Sequence, residues 1–409
     1  MAINRFGAFV VLACSSLFGC AQADDGRDAS PLSIPEPTES APEIDTKSDA
    51  FSLPAFAVSS LFAQTDQFPA GIAGDRDTVF VGDVFGGRVV AYSRLTRQPI
   101  GELPVPEGGF TIPLILQSLG EGRLAVMTAG GVPQPNPLVP VTPVIYEFDH
   151  HIGPQGFSAS RTRTVTFPEQ SVGFPEDILP LPQNRYLLSD AVLGRIWVVD
   201  SDGSTRIGIG APPGSVQNDA PIQLRYCDTM PLIQVGGVPF LFSAATIPGV
   251  GGMAERDGTV FFSNPCAGAI FKVPVATFFD HRTPMQRASS IKPTAIKKDP
   301  SVVVEQLLTP RFNPYDDSDR YLYANDSLQL RVIRIDVSSG KRQVVGDKKG
   351  LFDFPSSINF LPPLLPLNVS PLFVVSNQQH RLTVTNSAIA ADQVTSPFTI
   401  TRIDIFNPF

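Results

Sequence analysis

From about residue 60 onward the apolar positions fall in short runs of five or six, rich in β-branched and aromatic residues. Most end on Asp or Asn just before a polar turn. The runs come in pairs: Val79–Asp83 with Arg88–Tyr92, Tyr186–Asp190 with Arg195–Asp200, Val260–Asn264 with Ala269–Val273, Tyr321–Asp326 with Arg331–Asp336, and Leu372–Asn377 with Arg381–Thr385. A weaker pair, Arg123–Thr128 and Val144–Asp149, is split by a long Pro-rich stretch. Such runs, bounded by Gly, Asn and Asp, predict antiparallel hairpins. No apolar period of 3.6 residues runs long enough to predict a sizeable helix.

A second pattern counts the units. Phe68-Pro69-Ala70-Gly71-Ile72, Phe174-Pro175-Glu176-Asp177-Ile178 and Phe354-Pro355-Ser356-Ser357-Ile358 repeat one motif, Phe-Pro-x-x-Ile, ahead of a hairpin. Phe68 and Phe174 are 106 residues apart, room for two units, and Phe174 and Phe354 are 180 apart, room for three. Repetition at tens of residues signals a repeat architecture. Six small sheets without crossover helices bury their faces by stacking radially, so the expected fold is all-β, a six-bladed β-propeller of four-stranded antiparallel blades. A pair of β-sandwiches is the alternative arrangement. The 33 Gly and 40 Pro suit a chain that spends many residues on turns.

Residues 1–20 read as a leader outside the fold, with Arg5 ahead of an apolar Phe6–Leu17 too short to cross a bilayer. Leu17-Phe18-Gly19-Cys20 resembles the bacterial lipobox, which makes Cys20 the lipidation residue; an ordinary secretory signal cut near Ala21 or Ala23 is the other reading. Residues 21–55 form an acidic, Pro- and Ser-rich tether that lacks the apolar content to fold. Its acids outnumber its bases by eight to two, so it carries most of the chain's net charge of −8. The remaining domain, 56–409, is close to neutral, which excludes a basic nucleic-acid surface. The chain is therefore expected to be exported and held by its lipid anchor to a bacterial membrane, in the periplasm or at the outer membrane, as a monomer. The apolar stretch Asn359–Val375 is interrupted by Pro362, Pro363, Pro366 and Pro371 and is not expected to span a membrane.

The chemistry is sparse. There is no Gly-x-Ser-x-Gly, no His-Glu-x-x-His, and only four histidines. Adjacent His150 and His151 should point to opposite faces of a strand rather than share a metal. Asp83, Asp190, Asn264, Asp326 and Asn377 end their strands just before turns, where a short acceptor caps backbone N–H groups. Cys227 and Cys266 flank one unit and are a disulfide candidate in an oxidising compartment. The loops Gly131–Pro143 and Leu361–Pro371 should open on opposite faces, as channel lids or contact sites. Arg282–Lys298 holds five bases and no acid, and reads as a solvated excursion or an anion-docking segment.

With its Phe-Pro-x-x-Ile, the segment Tyr186–Asp190 through Arg195–Asp200 resembles the gluconolactonase and senescence-marker-protein family of six-bladed propellers, and more loosely NHL-repeat and strictosidine-synthase-like proteins. That resemblance implies one divalent cation, Ca²⁺ or Zn²⁺, at the central channel of a lactone hydrolase. The family's three ligand positions fall here on Ala70, Glu176 and Gly251, leaving Glu176 as the one metal candidate. Glu176 and Asp177 are the channel and ligand candidates, one expected to face the channel and the other the blade. The expected function is thus a binding module for a small-molecule ligand or an envelope protein. The alternative is a divergent metal-dependent lactonase or esterase whose cation is held by Glu176 and other channel oxygens.

Overall fold

The computed structural model describes residues 57–406, apart from 108, 121, 132–133, 136–137, 213–219, 222, 226–230, 243–248, 265–266, 317–319 and 365–368. The leader, the tether, Cys20, Cys227 and Cys266 lie outside the described residues. The chain forms a six-bladed β-propeller, each blade a four-stranded antiparallel sheet. Blade 1 spans Pro69–Glu102, blade 2 Pro113–Thr166, blade 3 Pro175–Gly210, blade 4 Met253–Pro293 and blade 5 Leu307–Gly346. Blade 6 takes Pro355–Phe360, Val369–Ser376 and Phe398–Phe406, and its outermost strand is Ala57–Thr65 from the other end of the chain. The ring is closed by that antiparallel pairing of the first and last described strands.

Most hairpins lie where the apolar runs place them, and blade 6 is the exception. Arg381–Thr385 is not its third strand; Phe398–Phe406 is, with Leu372 opposite Ile403 and Val374 opposite Thr401. The reason is packing. Phe398, Ile400, Ile403 and Ile405 are all buried and fill both faces of the sheet, a pattern that Arg381–Thr385 cannot supply. Arg381 instead ends a short 3₁₀ turn, Gln379–Arg381, and the residues that follow it run on as turns.

The core is not central. Six apolar clusters sit one at each interface between neighbouring blades, such as Ile115, Met127, Phe167, Tyr186, Leu188 and Trp197 between blades 2 and 3. Ile72, Ile178 and Ile358 of the repeated motif are fully buried in these interfaces. At the closing seam Phe62 meets Phe373 edge to face at 5.1 Å between ring centroids. Phe62→Leu is expected to destabilise by about 1 kcal/mol, since it keeps most of the volume but loses the ring contact; chemical denaturation measures it, and an unchanged midpoint would show that the seam carries no such load.

The inner strands ring the axis, each touching the next around the closed circle. They share an irregularity. A β-bulge follows the first proline of the inner strand in blades 2, 3 and 6, leaving Leu114, Glu176 and Ser356 out of register, and falls one residue later in blade 1, at Gly71. A bulge re-aims one side chain away from the ladder. In each copy of Phe-Pro-x-x-Ile one of the two variable positions is therefore the bulge residue, the first in blades 3 and 6 and the second in blade 1.

Candidate functional site: the channel mouth

Strand ends come first, because they set the rim. Asp190 is fully buried and accepts from the backbone N–H groups of Gly173, Phe174 and Leu193 at 3.0–3.2 Å. Asp83 accepts from Gly86 N and pairs with Arg88 Nε at 3.0 Å, while Asn264 and Asn377 cap Ala267 and Gln379. These side chains hold turns and are spoken for. Burial pushes Asp326 up to about 7, with Arg331 opposing the shift.

Inside the channel, polar side chains from the inner strands join into a belt. Asn359 of blade 6 donates to Ile72 O of blade 1 at 3.3 Å and to Gln117 Oε1 of blade 2 at 3.4 Å. Gln117 Nε2 donates to Asp177 Oδ1 of blade 3 at 3.4 Å. Arg311 of blade 5 grips Asp177 with both terminal nitrogens, Nη1 to Oδ2 at 2.9 Å and Nη2 to Oδ1 at 3.0 Å. Met253 N of blade 4 completes the set, donating to Asp177 Oδ2 at 2.8 Å, while Arg311 Nη1 returns a bond to Met253 O at 2.8 Å. One hydrogen-bonded belt thus touches all six blades. Asp177 is 0% exposed, and these donors offset the cost of burying its carboxyl group.

Glu176 is the odd member. Its position on the bulge separates it from the belt, and no hydrogen bond or ion pair to it is found among the described residues. It lies deep among protein atoms yet keeps partial access to solvent. Burial, with the Asp177 charge next to it, pushes its carboxyl up to about 8. A carboxyl raised this far holds its proton at pH values where an ordinary glutamate is charged.

The other two positions where the resemblance implies ligands are closed by packing. Ala70 is buried, and a Cβ on Gly251 would stand 2.2 Å from Ser263 Oγ. A cation shared by Glu176 and Asp177 does not fit either, since both Asp177 oxygens are taken and the Arg311 guanidinium already supplies the positive charge. Among the described residues no three His, Cys, Asp or Glu groups converge as a metal cluster. The His150 side chain is 3% exposed, 3.5 Å from Asp75 and edge-on to Phe80, while His151 pairs across to Ser158 on the same hairpin. In the basic segment, Arg282 and Arg287 are both bound to Asp280, just outside it, at 2.6 and 3.0 Å, and Lys298 Nζ donates to Val302 O. Both arginines of the segment are thus paired locally, while Lys292, Lys297 and Lys298 are exposed.

The long connection from blade 3 to blade 4 reaches other blades of the ring through its described residues. It carries a hairpin, Ile233–Val235 with Val238–Phe240, whose turn residues Gly236 and Gly237 both have positive φ, as the tight turn requires. Leu241 is fastened to blade 6, while Gly249 N donates to Ala191 O of blade 3 at 2.9 Å, and Ala191 N in turn to Phe174 O. Blades 3 and 6 face each other across the ring, so this connection is anchored on both sides of the mouth. Asn264 Nδ2 also donates to Gln223 O at 2.6 Å, tying blade 4 to the same connection.

Sequence reasoning singled out Glu176 and Asp177 but missed Arg311, Gln117, Asn359 and the cap. Arg311 left one signal, a lone cation in the apolar run Leu307–Phe312.

No family model matches the chain, and no curated protein matches it. Among solved structures, the allergen Mala s 1 of Malassezia sympodialis is similar at a TM-score of 0.54, with 13% identity over 88% of this chain and 99% of that one. Regucalcin of Agrobacterium tumefaciens, a calcium-binding protein, gives 0.48 and 11% over 86% and 96%; a gluconolactonase of Xanthomonas campestris gives 0.44 and 11% over 85% and 89%. Likeness at such identities is one of fold. The resemblance read from the motif holds at that level, and the class defined is the six-bladed β-propeller with a polar-belted, capped channel.

Proposed function

We propose that this chain is an exported, lipid-anchored propeller that binds a small-molecule ligand at the capped channel mouth, with Glu176 as the recognition group. The observation that carries the reading is the unpartnered, protonatable Glu176 carboxyl set on a bulge beside a neutralised Asp177–Arg311 pair. Buried polar groups are ordinarily hydrogen-bonded, and one left without a partner in a recess is suited to a ligand's donor or acceptor. The lipobox-like Leu17–Cys20 and the acidic 21–55 segment support the anchoring.

A thermal-shift screen of small polar metabolites on the full chain tests the ligand reading. The expected result is a compound class that raises Tm for the wild type and not for Glu176→Gln, because a ligand stabilises only the state that binds it. Shifts shared equally by both proteins would remove Glu176 from the site. Cys20→Ala is expected to move the protein from the membrane fraction to the soluble fraction; unchanged membrane retention would sink the anchor.

A hydrolase is the second reading, favoured by one fact: a carboxyl near 8 can serve as a general acid at neutral pH. Hydrolysis of lactones or aryl esters that is lost in Glu176→Gln would establish it. Metal analysis and chelator treatment of the same preparation decide whether a divalent cation takes part.

A further inference from the structure

The cap rests on a buried histidine. His380 is 0% exposed, and neither ring nitrogen has a hydrogen-bond partner. Its ring stacks on Phe354 at 5.6 Å between centroids and 17° between planes, and Phe354 in turn meets Phe240 of the hairpin at 6.3 Å. From above, the hairpin turn closes over it: a Cβ on Gly236 would stand 3.6 Å from His380 Nε2. Val235, Phe240, Phe242, Val304, Leu328 and Phe354 form the apolar cluster that seats the hairpin. Asn386, six residues after His380, is the clasp. Its Oδ1 accepts from Leu241 N at 3.1 Å, and its Nδ2 donates to Pro239 O at 2.8 Å and His380 O at 2.7 Å. Ser387 N adds a bond to Leu241 O at 2.8 Å.

We propose that His380 is an acid-operated latch, whose protonation frees the hairpin Ile233–Phe240 from blade 6 and uncovers the channel mouth. An imidazolium is disfavoured in this seat, because its two charged N–H groups would lie without a hydrogen bond in a site that is 0% exposed. One acceptor waits at the margin: Asp353 Oδ1 lies 3.6 Å from Nε2, and Asp353 is partly exposed and also approached by Arg381 Nε at 3.7 Å. At 3.6 Å that oxygen is beyond hydrogen-bond reach, so pairing with it requires the ring to shift from its place against Phe354 and Gly236. Asp353 and Arg381 are the charged groups facing His380; the hairpin itself contains no titratable residue between Ile233 and Phe240.

The sign follows from linkage. Burial, with the Arg381 charge, drives the closed-state His380 down to about 3, while an exposed histidine titrates near 6.5. The open state therefore binds more protons below about pH 6.5, and the opening equilibrium rises about tenfold per pH unit until the closed state also protonates. Asp353, whose carboxyl is raised by burial, works weakly in the opposite direction.

Hydrogen exchange of the full chain, corrected for intrinsic pH dependence, tests this on the peptide covering residues 233–242. Between pH 6.5 and 4.5 the wild type is expected to show on the order of a 100-fold rise in opening, with the inner strand Pro69–Gly74 still protected. His380→Phe keeps the stacked ring, removes the proton, and is expected to flatten the response; Asp353→Asn is expected to leave the rise in place. Asn386→Ala, which breaks the clasp without touching the titrating group, should open the hairpin at every pH. Equal exchange at both pH values, a rise that persists in His380→Phe, or a rise shared by the inner strands would each overturn the latch. The readout needs no ligand, so its failure leaves the ligand reading of Glu176 standing.

Discussion

Arg311→Met is expected to lower the free energy of unfolding by about 3–5 kcal/mol, the usual cost of removing one partner from a buried ion pair. Asp177 would keep only Met253 N and Gln117 Nε2 as donors, too few for a carboxylate that is 0% exposed. The loss should spread beyond one blade, because Arg311 also holds Met253 O and Pro310 O at 2.8 Å and so ties blades 3, 4 and 5 together. The double variant Asp177→Leu with Arg311→Met is expected to recover much of the stability, since a buried pair replaced by apolar groups of similar size is often close to neutral. Urea denaturation of the three variants measures this. A single-variant loss below about 1 kcal/mol would mean that the belt is solvated, as for an exposed pair.

Glu176→Gln is expected to stabilise the protein at alkaline pH and to change nothing near pH 4. The folded-state carboxyl is raised to about 8 from 4.5, so the native state holds a proton that the unfolded state has released across that window. A raised acid contributes its stabilisation below the unfolded value and loses it as pH climbs toward the folded one. A shift of this size corresponds to at most about 5 kcal/mol, and channel water reduces the expected gain of the Gln variant at pH 9 to about 2–4 kcal/mol. Denaturation midpoints of both proteins from pH 4 to 9 give the curve. Parallel profiles would show that Glu176 is solvated and that the channel holds no unusual acid.

Both predictions concern neighbouring residues that a sequence treats as a matched pair of acids. One step of chain separates them, but the bulge between Pro175 and Asp177 sends them into different surroundings. Asp177 enters the belt and finds four donors; Glu176 is left in the channel with none. Their opposite fates depend on Arg311, which is 134 positions away in the chain and reaches Asp177 only because the inner strands of blades 3 and 5 converge on the axis. No local pattern encodes that meeting.

The sequence alone determined the architecture. Hairpins marked by β-branched runs and Asp or Asn ends are local objects, their spacing counts six, and apolar sheet faces of that size can be buried only against one another. It also determined that Ala70 and Gly251 bear no ligating side chain. Tertiary structure decided everything that depends on ring closure: the N-terminal strand that completes blade 6, the shift of that blade's third strand to Phe398–Phe406, the belt that joins six inner strands, and the cap anchored on opposite blades. The physical reason is the same for each. A blade is specified by neighbours along the chain, whereas a channel is made where distant inner strands converge, and its chemistry belongs to the side chains that meet there.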